Sequence, residues 1–144
     1  GGNGTYTAAL DDDGGAQNLS LPSGYYKVAV NMTTLSVTFT SITEIALIGT
    51  FNNWSGDLDF TYDASSNLWI VDSFTITAAD QFKVRFNAGW DINLGASGDV
   101  EPYVLTAGTP KQVLQNGKNM SATASGAYKV TLNLQHAPYY MTIE

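Results

Sequence analysis

Three short segments hold the side chains whose chemistry goes beyond packing. In Gly49-Thr50-Phe51-Asn52-Asn53-Trp54-Ser55 a glycine closes an apolar run, two asparagines turn the chain, and Trp54 sits on the turn. Its flanks Asn52, Asn53, Ser55, Gly56 and Asp57 make a poor setting for a core anchor. An exposed indole is therefore expected there, with Phe51 taking the core position, although tryptophan is usually well buried, because loop aromatics are disproportionately functional. In Phe82-Lys83-Val84-Arg85-Phe86 the apolar residues alternate with Lys83 and Arg85, two of only six basic residues in the chain. Trp90 follows Gly89 and precedes Asp91, again at the end of a strand pattern, and Asn119 lies further on in Gly117-Lys118-Asn119-Met120. Trp69 differs: inside Leu68-Trp69-Ile70-Val71 it is expected in the core.

Two flat indoles with ammonium, guanidinium and amide groups beside them suit a neutral polyhydroxyl ligand. A sugar ring has an apolar face of C–H groups and a fringe of hydroxyls. An indole removes that face from water, and aromatic side chains bury about 150–250 Å² each. Lysine and arginine donate to ring hydroxyls, and hydrogen bonds to charged groups contribute roughly 1.5–3 kcal/mol when well formed. Asparagine amides both donate and accept, which matches a hydroxyl. The expected ligand set is thus Trp54, Lys83, Trp90, Asn119, Arg85 and Asn53, acting on a polysaccharide.

Other chemistries fare worse. A net charge of −7 leaves no basic stripe for a phosphate backbone or an anionic membrane surface. The chain has no cysteine, so disulfides, thiolate metal sites and a thiol nucleophile are excluded. Its single histidine, His136, sits in the turn Gln135-His136-Ala137-Pro138 and builds neither a triad nor a histidine metal site. Asp57 and Asp59 alternate with Leu58, but glycoside hydrolysis needs two carboxylates about 5–10 Å apart in a cleft, and this region reads as solvated turn. Consecutive acids at Asp11-Asp12-Asp13 read the same way rather than as a calcium loop. No catalytic residue, metal or cofactor is expected. The competing reading is a spacer or protein-interaction domain in which Trp54 and Trp90 are buried or far apart.

The elements that must position these residues are strands. Leu35, Val37 and Phe39 alternate with polar residues, as do Leu58, Phe60 and Tyr62; so do Phe82, Val84 and Phe86, then Tyr128, Val130, Leu132 and Leu134, then Tyr139, Met141 and Ile143. Period two in this many segments predicts antiparallel sheets with one buried face. Asp63-Ala64-Ser65-Ser66-Asn67, Ala78-Ala79-Asp80 and Ala96-Ser97-Gly98-Asp99 supply turns. Charged residues are only 13%, the remainder being rich in threonine, serine, asparagine and glycine, as short strands and tight turns require. No sustained helical period occurs, so the fold class is all-β.

An internal repeat sets the domain boundaries. Ser23-Gly24-Tyr25-Tyr26-Lys27-Val28-Ala29-Val30-Asn31 returns as Ser125-Gly126-Ala127-Tyr128-Lys129-Val130-Thr131-Leu132-Asn133, with six of nine positions identical at an offset of 102. An offset near 100 is the length of one immunoglobulin-like antiparallel β-sandwich. Residues 1–41 then read as the closing strands of a preceding repeat, and 42–144 as a complete module. With no sheet of their own, residues 1–41 are expected to pair with the neighbouring domain or another chain. The Gly1-Gly2-Asn3-Gly4 start reads as a cut within a longer protein, any export signal or lipid anchor lying upstream.

Gly49–Trp54, Phe82-Lys83 and Gly89-Trp90, with Lys83 and Trp90 seven positions apart, together resemble the glycogen-binding modules of starch-branching enzymes and the energy-sensing kinase. The tandem arrangement is similar to SusE/SusF-type starch-binding surface lipoproteins. Their repeats share the Gly-x-Phe-Asn-x-Trp opening (Gly49–Trp54), the Phe-Lys-x-Arg strand (Phe82–Arg85), Trp-Asp-Ile-Asn (Trp90–Asn93) and Gly-x-Tyr-Lys (Gly126–Lys129). The resemblance implies capture of an α-glucan (starch or maltooligosaccharide) without bond cleavage. Trp54 and Trp90 would stack on glucose while Lys83 and Asn119 take hydroxyls. It also implies an outer-membrane lipoprotein at the cell surface, working beside other glycan-uptake proteins. Pro102 to Gln115 departs from the pattern as a long insert, from which Tyr103 or Leu114 is placed to reach the site.

Overall fold

The computed structural model describes residues 4–11, 14–15 and 17–144. The chain divides into two compact units, Gly1–Thr43 and Glu44–Glu144. Strand accounts for 55% of residues and helix for 2%, so each candidate side chain is carried by a strand or by a turn beside one. Asp12 and Asp13 of the acidic run lie outside the described residues.

In the first unit β1 (Thr5–Ala9), β2 (Tyr25–Asn31) and β3 (Ser36–Ile42) form one sheet in the order β1-β3-β2. Both pairings are antiparallel, Tyr6 facing Phe39 and Val28 facing Phe39 from opposite sides. The expectation that residues 1–41 lack sheet partners of their own is corrected. Backbone groups need partners wherever they find them, and the segment before Tyr25 supplies a third strand whose alternation is too short and threonine-rich to read.

The second unit comprises β4 (Ile45–Gly49), β5 (Leu58–Asp59), β6 (Thr61–Asp63), β7 (Leu68–Ile76), β8 (Phe82–Phe86), β9 (Gly89–Ala96), β10 (Tyr103–Leu105), β11 (Lys111–Gln115), β12 (Met120–Ala122), β13 (Gly126–Asn133) and β14 (Tyr139–Ile143). Hydrogen bonding runs β10-β12-β8-β9-β11-β14-β13-β7-β6, with β4 on the other side of β8 and β5 beside β4. The pairings are antiparallel apart from β10 with β12. The sheets form a sandwich that approaches a closed barrel. Inside it Leu47, Phe74, Phe82, Val84, Val130, Leu132 and Met141 are fully buried, each worth roughly 1.5–3 kcal/mol relative to exposure.

Two local features come from breaks in the alternation. Between β7 and β13 the register passes from Phe74 opposite Tyr128 to Val71 opposite Val130. The extra residue on β7 is a bulge, and it lets Val71, Phe74 and Ile76 all point inward while Asp72 and Ser73 stay exposed. Trp69, expected in the core, is half-buried on the near side of this bulge, its ring 5.2 Å from that of Tyr62. Residues 102–115 are not a simple insert either. They contribute β10 and β11, and β11 bridges β9 and β14 with Val113 buried.

The repeat is visible at the level of single hydrogen bonds. The Tyr26 hydroxyl donates to the Pro22 carbonyl at 2.8 Å, and the Tyr128 hydroxyl donates to the Ala124 carbonyl at 2.6 Å. Both tyrosines fasten the entry of their strand in the same way.

Acid sensitivity follows from the turn joining β6 to β7. The Asp63 carboxylate accepts from the Ser65 amide and from the hydroxyls of Ser65 and Ser66 at 2.7–3.0 Å. The Ser66 hydroxyl above all, then that of Ser65, lowers its pKa from 3.8 to about 2. Asp80 shifts in the same direction through the Thr77 amide and then the Thr50 hydroxyl. A carboxyl depressed on folding stabilises the fold above its ordinary pKa and loses that contribution as pH falls through its folded value. The melting temperature is expected to hold above about pH 4 and to drop towards about pH 2. Asp63→Ala flattens that drop in thermal melts followed by circular dichroism; an unchanged slope would remove the turn from the account.

Candidate functional site

The site lies on the outward face of β8. Its inward residues are Phe82, Val84 and Phe86, which leaves Lys83 and Arg85 pointing away from the core. Cross-strand pairing lines up Ala46 of β4, Arg85 of β8 and Asn93 of β9 on that face. Asn116 continues the row beyond β9, accepting from Asn93.

Trp54 arrives from the turn after β4. A single 3-10 turn, Thr50–Asn52, is followed by Asn53 and Trp54, both at φ 55°. Left-handed backbone costs about 1–3 kcal/mol for a residue as bulky as tryptophan, and several bonds hold it there. The Trp54 amide donates to the Gly49 carbonyl at 2.7 Å. The Gly49 amide donates to Asn52 Oδ1 at 3.1 Å, and Asn52 Nδ2 donates to the Gly56 carbonyl. The Thr50 hydroxyl donates to Asp80 at 2.7 Å and accepts from the Gln81 amide at 3.0 Å. Glycine is required at the head of the turn, since a Cβ on Gly49 would overlap the Gln81 carbonyl oxygen and lie 2.8 Å from Phe82 Cβ. Asn53 is exposed beside the indole.

Trp90 stands at the start of β9, 46% exposed. The Trp54 and Trp90 ring centroids are 5.9 Å apart with 49° between their planes. Trp54 is half-buried and neither ring enters the core. They form a bent aromatic surface.

Arg85 supports this surface. Its Nε and Nη2 donate to the two carboxylate oxygens of Asp57 at 2.7 and 2.8 Å. The guanidinium carbon lies 5.6 Å from the centre of the Trp90 ring. A two-pronged pair of this kind fixes orientation as well as charge, and the planar cation favours the indole face. Asp57 raises the arginine pKa further. Nearby Glu44 is pushed up, by partial burial first and then by the charges of Asp57 and Asp59.

Lys83 is two positions along the same face, about 7 Å from Arg85 by strand geometry. It is half-buried, and burial pushes its ammonium pKa down against the pull of Glu101. The chain around Asn119 reaches it by crossing β9 at Gly95, with Ala96 and Lys118 exchanging backbone hydrogen bonds at 2.9 Å each. Asn119 Nδ2 donates to Gln81 Oε1 at 3.0 Å, its amide donates to Glu101 at 3.3 Å, and Lys118 pairs with Glu101 at 3.5 Å. Of the insert residues, Leu114 is opposite Gly95 and 40% exposed, whereas Tyr103 is half-buried with the Lys111 ammonium 3.7 Å from its ring centre.

Sequence reasoning passed over Asp57 as the partner of Arg85, and it passed over Asn93. Asn93 is 5% exposed; its Nδ2 donates to the Trp90 carbonyl at 2.8 Å and to Asn116 Oδ1 at 2.9 Å. Gln115 extends the amide network to the Asp91 carbonyl at 3.0 Å. These bonds tie the Trp90 segment to the end of β11. The available signal was an amide three residues after the tryptophan, in the outward register of a strand. Comparison with protein-family models, with curated proteins and with solved structures returns no match.

Proposed function

We propose that residues 44–144 form a non-catalytic module that captures polysaccharide, an α-glucan such as starch or maltooligosaccharide, on the outer face of β8 and β9. The observation that carries this reading is the pair of indoles 5.9 Å apart and inclined at 49°, with Trp90 46% exposed. A flat pair suits a straight chain, whereas an inclined pair follows a curved one, and α-1,4-glucan curves. Trp54 and Trp90 take successive sugar faces. Lys83 donates to hydroxyls from the same strand face, and the amides of Asn53 and Asn119 donate and accept at its margin. Arg85 acts chiefly as a support, because Asp57 already occupies two of its donors.

The motif resemblance to SusE/SusF-type repeats supports the same choice of ligand. It extends the proposal to an immunoglobulin-like sandwich within a surface lipoprotein, where several weak modules gain avidity from their tandem arrangement. Capture without cleavage is favoured because Asp57, one of the alternating pair Asp57 and Asp59, is locked to Arg85. Native gels containing amylopectin or glycogen test the proposal. Retarded migration with no release of reducing sugar is expected. Migration unchanged in every polysaccharide would make the unit a spacer, and sugar release would make it an enzyme.

A further inference from the structure

The repeated hairpin occurs twice, and its two copies differ in what covers them. In the second unit the hairpin is β13–β14. There Val130, Leu132 and Met141 are 0% exposed, and the outer edge of β13 is paired with β7 along Leu132–Trp69, Thr131–Ile70 and Val130–Val71. In the first unit the hairpin is β2–β3, and Val28 and Val30 stand at the positions of Val130 and Leu132. These two valines are 55% and 56% exposed, and β2 is the edge of its sheet.

Registers place Tyr26, Val28, Val30, Val37, Phe39 and Tyr6 on one face of the β1-β3-β2 sheet; Val37 on the middle strand is already buried and Phe39 half-buried, whereas Val28 and Val30 towards the β2 edge are open. Ring contacts Tyr26–Phe39 at 6.5 Å and Tyr6–Tyr26 at 6.3 Å lie on it. The opposite face carries Lys27, Asn31, Thr5, Thr7, Thr38 and Thr40, with Tyr25, Ala29 and Ile42 among them. The aliphatic and aromatic residues are denser on the first face, the side suited to a second layer.

We infer that the apolar face and the outer edge of β2 around Val28 and Val30 are the docking site for a β-sheet of the kind that covers β13–β14, supplied by an adjoining repeat of the same polypeptide. A strand with the pattern of β7 pairs along β2, and the apolar strands that follow close over Val28, Val30 and Phe39. Area decides between this occupant and a second copy of the chain. Two strands of seven residues and one of five, about 4.8 Å apart and rising about 3.4 Å per residue, present roughly 310 Å². A stable dimer buries about 800 Å² on each partner, so two copies face to face fall well short. A tethered sheet needs no such area, because the linkage supplies an effective concentration of about millimolar.

The absence of cysteine makes a thiol-protection test direct. Val30→Cys and, in a separate protein, Leu132→Cys are prepared in the 144-residue chain and in a chain carrying a second copy of residues 44–102 fused ahead of Gly1, the junction that the offset of 102 defines. An aromatic disulfide reagent is the probe. In the 144-residue chain Val30→Cys is expected to react freely and Leu132→Cys to be protected. In the extended chain Val30→Cys is expected to slow by roughly 50-fold or more, as a core position opening only by local unfolding does. Lys27→Cys, on the opposite face, should react alike in both. Equal rates for Val30→Cys in the two chains, with Leu132→Cys still protected, would overturn the inference. Protection in the 144-residue chain that grows with concentration, together with a dimer in sedimentation, would assign the face to a second copy instead and would equally overturn it.

Discussion

Trp90→Ala is expected to weaken glucan retention by roughly 30-fold, equivalent to about 2 kcal/mol, the level at which an interface residue counts as a hot spot. The magnitude follows from the geometry. Trp90 is 46% exposed while Arg85 lies 5.6 Å from the ring centre, so the indole is already oriented and loses little freedom on binding. Trp54→Ala should do comparable damage, since a bent platform with one plane missing no longer follows a curve. The double variant should lose less than the sum, because each single change also removes the contact between rings 5.9 Å apart. Fold stability should fall by only about 1 kcal/mol in either single variant, the worth of an aromatic pair outside the core. Trp69→Ala is the informative control: its ring packs against Tyr62, so it should cost stability and leave retention in amylopectin gels intact. If Trp90→Ala migrates like the unaltered protein in a gel that retards the latter, the indole pair is not the sugar platform.

Binding should also be nearly indifferent to salt. A neutral ligand releases no counterions, and the charged groups of the site pair locally, as Arg85 does with Asp57 at 2.7 Å. A steep loss of retention between about 0.05 and 0.5 M salt would point to a charged polymer instead.

Much of this site was legible in sequence because its parts are local. The alternation Phe82-Lys83-Val84-Arg85-Phe86 separates inward from outward residues with no further information, and β8 obeys it. Glycine before a turn and asparagine within it marked where Trp54 would stand, and the two left-handed residues at 53 and 54 are the backbone form of that signal. The Arg85–Asp57 pair was not legible, because the partners are 28 positions apart and meet only once β4 and the turn after it dock beside β8. Nor was β11. In Lys111-Gln112-Val113-Leu114-Gln115 the inward position holds one apolar residue, Val113, and the outward one holds another, Leu114. The period-two pattern cancels itself, and an inner strand looks like an insert. Trp69 misled for a related reason: an apolar strand implies burial along its whole length, yet at that end β7 lies between β13 and the short strand β6, which ends the sheet.

The largest loss of stability is expected from Gly95→Ala, at a residue with no chemistry of its own. Gly95 and Gly117 meet where the chain leaving β11 crosses β9. A Cβ on Gly95 would overlap the carbonyl oxygens of Gly117 and Lys118 and lie 2.5 Å from the Gly117 carbonyl carbon. A Cβ on Gly117 would overlap the Gly95 carbonyl oxygen in turn. These are contacts of backbone with backbone, and the backbone is pinned: Ala96 and Lys118 exchange hydrogen bonds at 2.9 Å, and the Asn116 amide donates to the Asn93 carbonyl at 3.2 Å. Overpacking that side chains can absorb costs about 1–3 kcal/mol; here no side chain is available to yield, so about 3–4 kcal/mol is expected, taking roughly 10–20 °C from the melting temperature of a domain this size. A shift of under about 2 °C would show that the crossing is loose. The crossing also delivers Lys118 and Asn119 to the side of Lys83. Any folded Gly95→Ala protein should therefore lose retention through Lys83 and Asn119 while the indole pair, held by Arg85 and Asn93, keeps its tilt. Tryptophan fluorescence close to that of the parent, together with weakened retention, would separate the polar half of the site from the aromatic half.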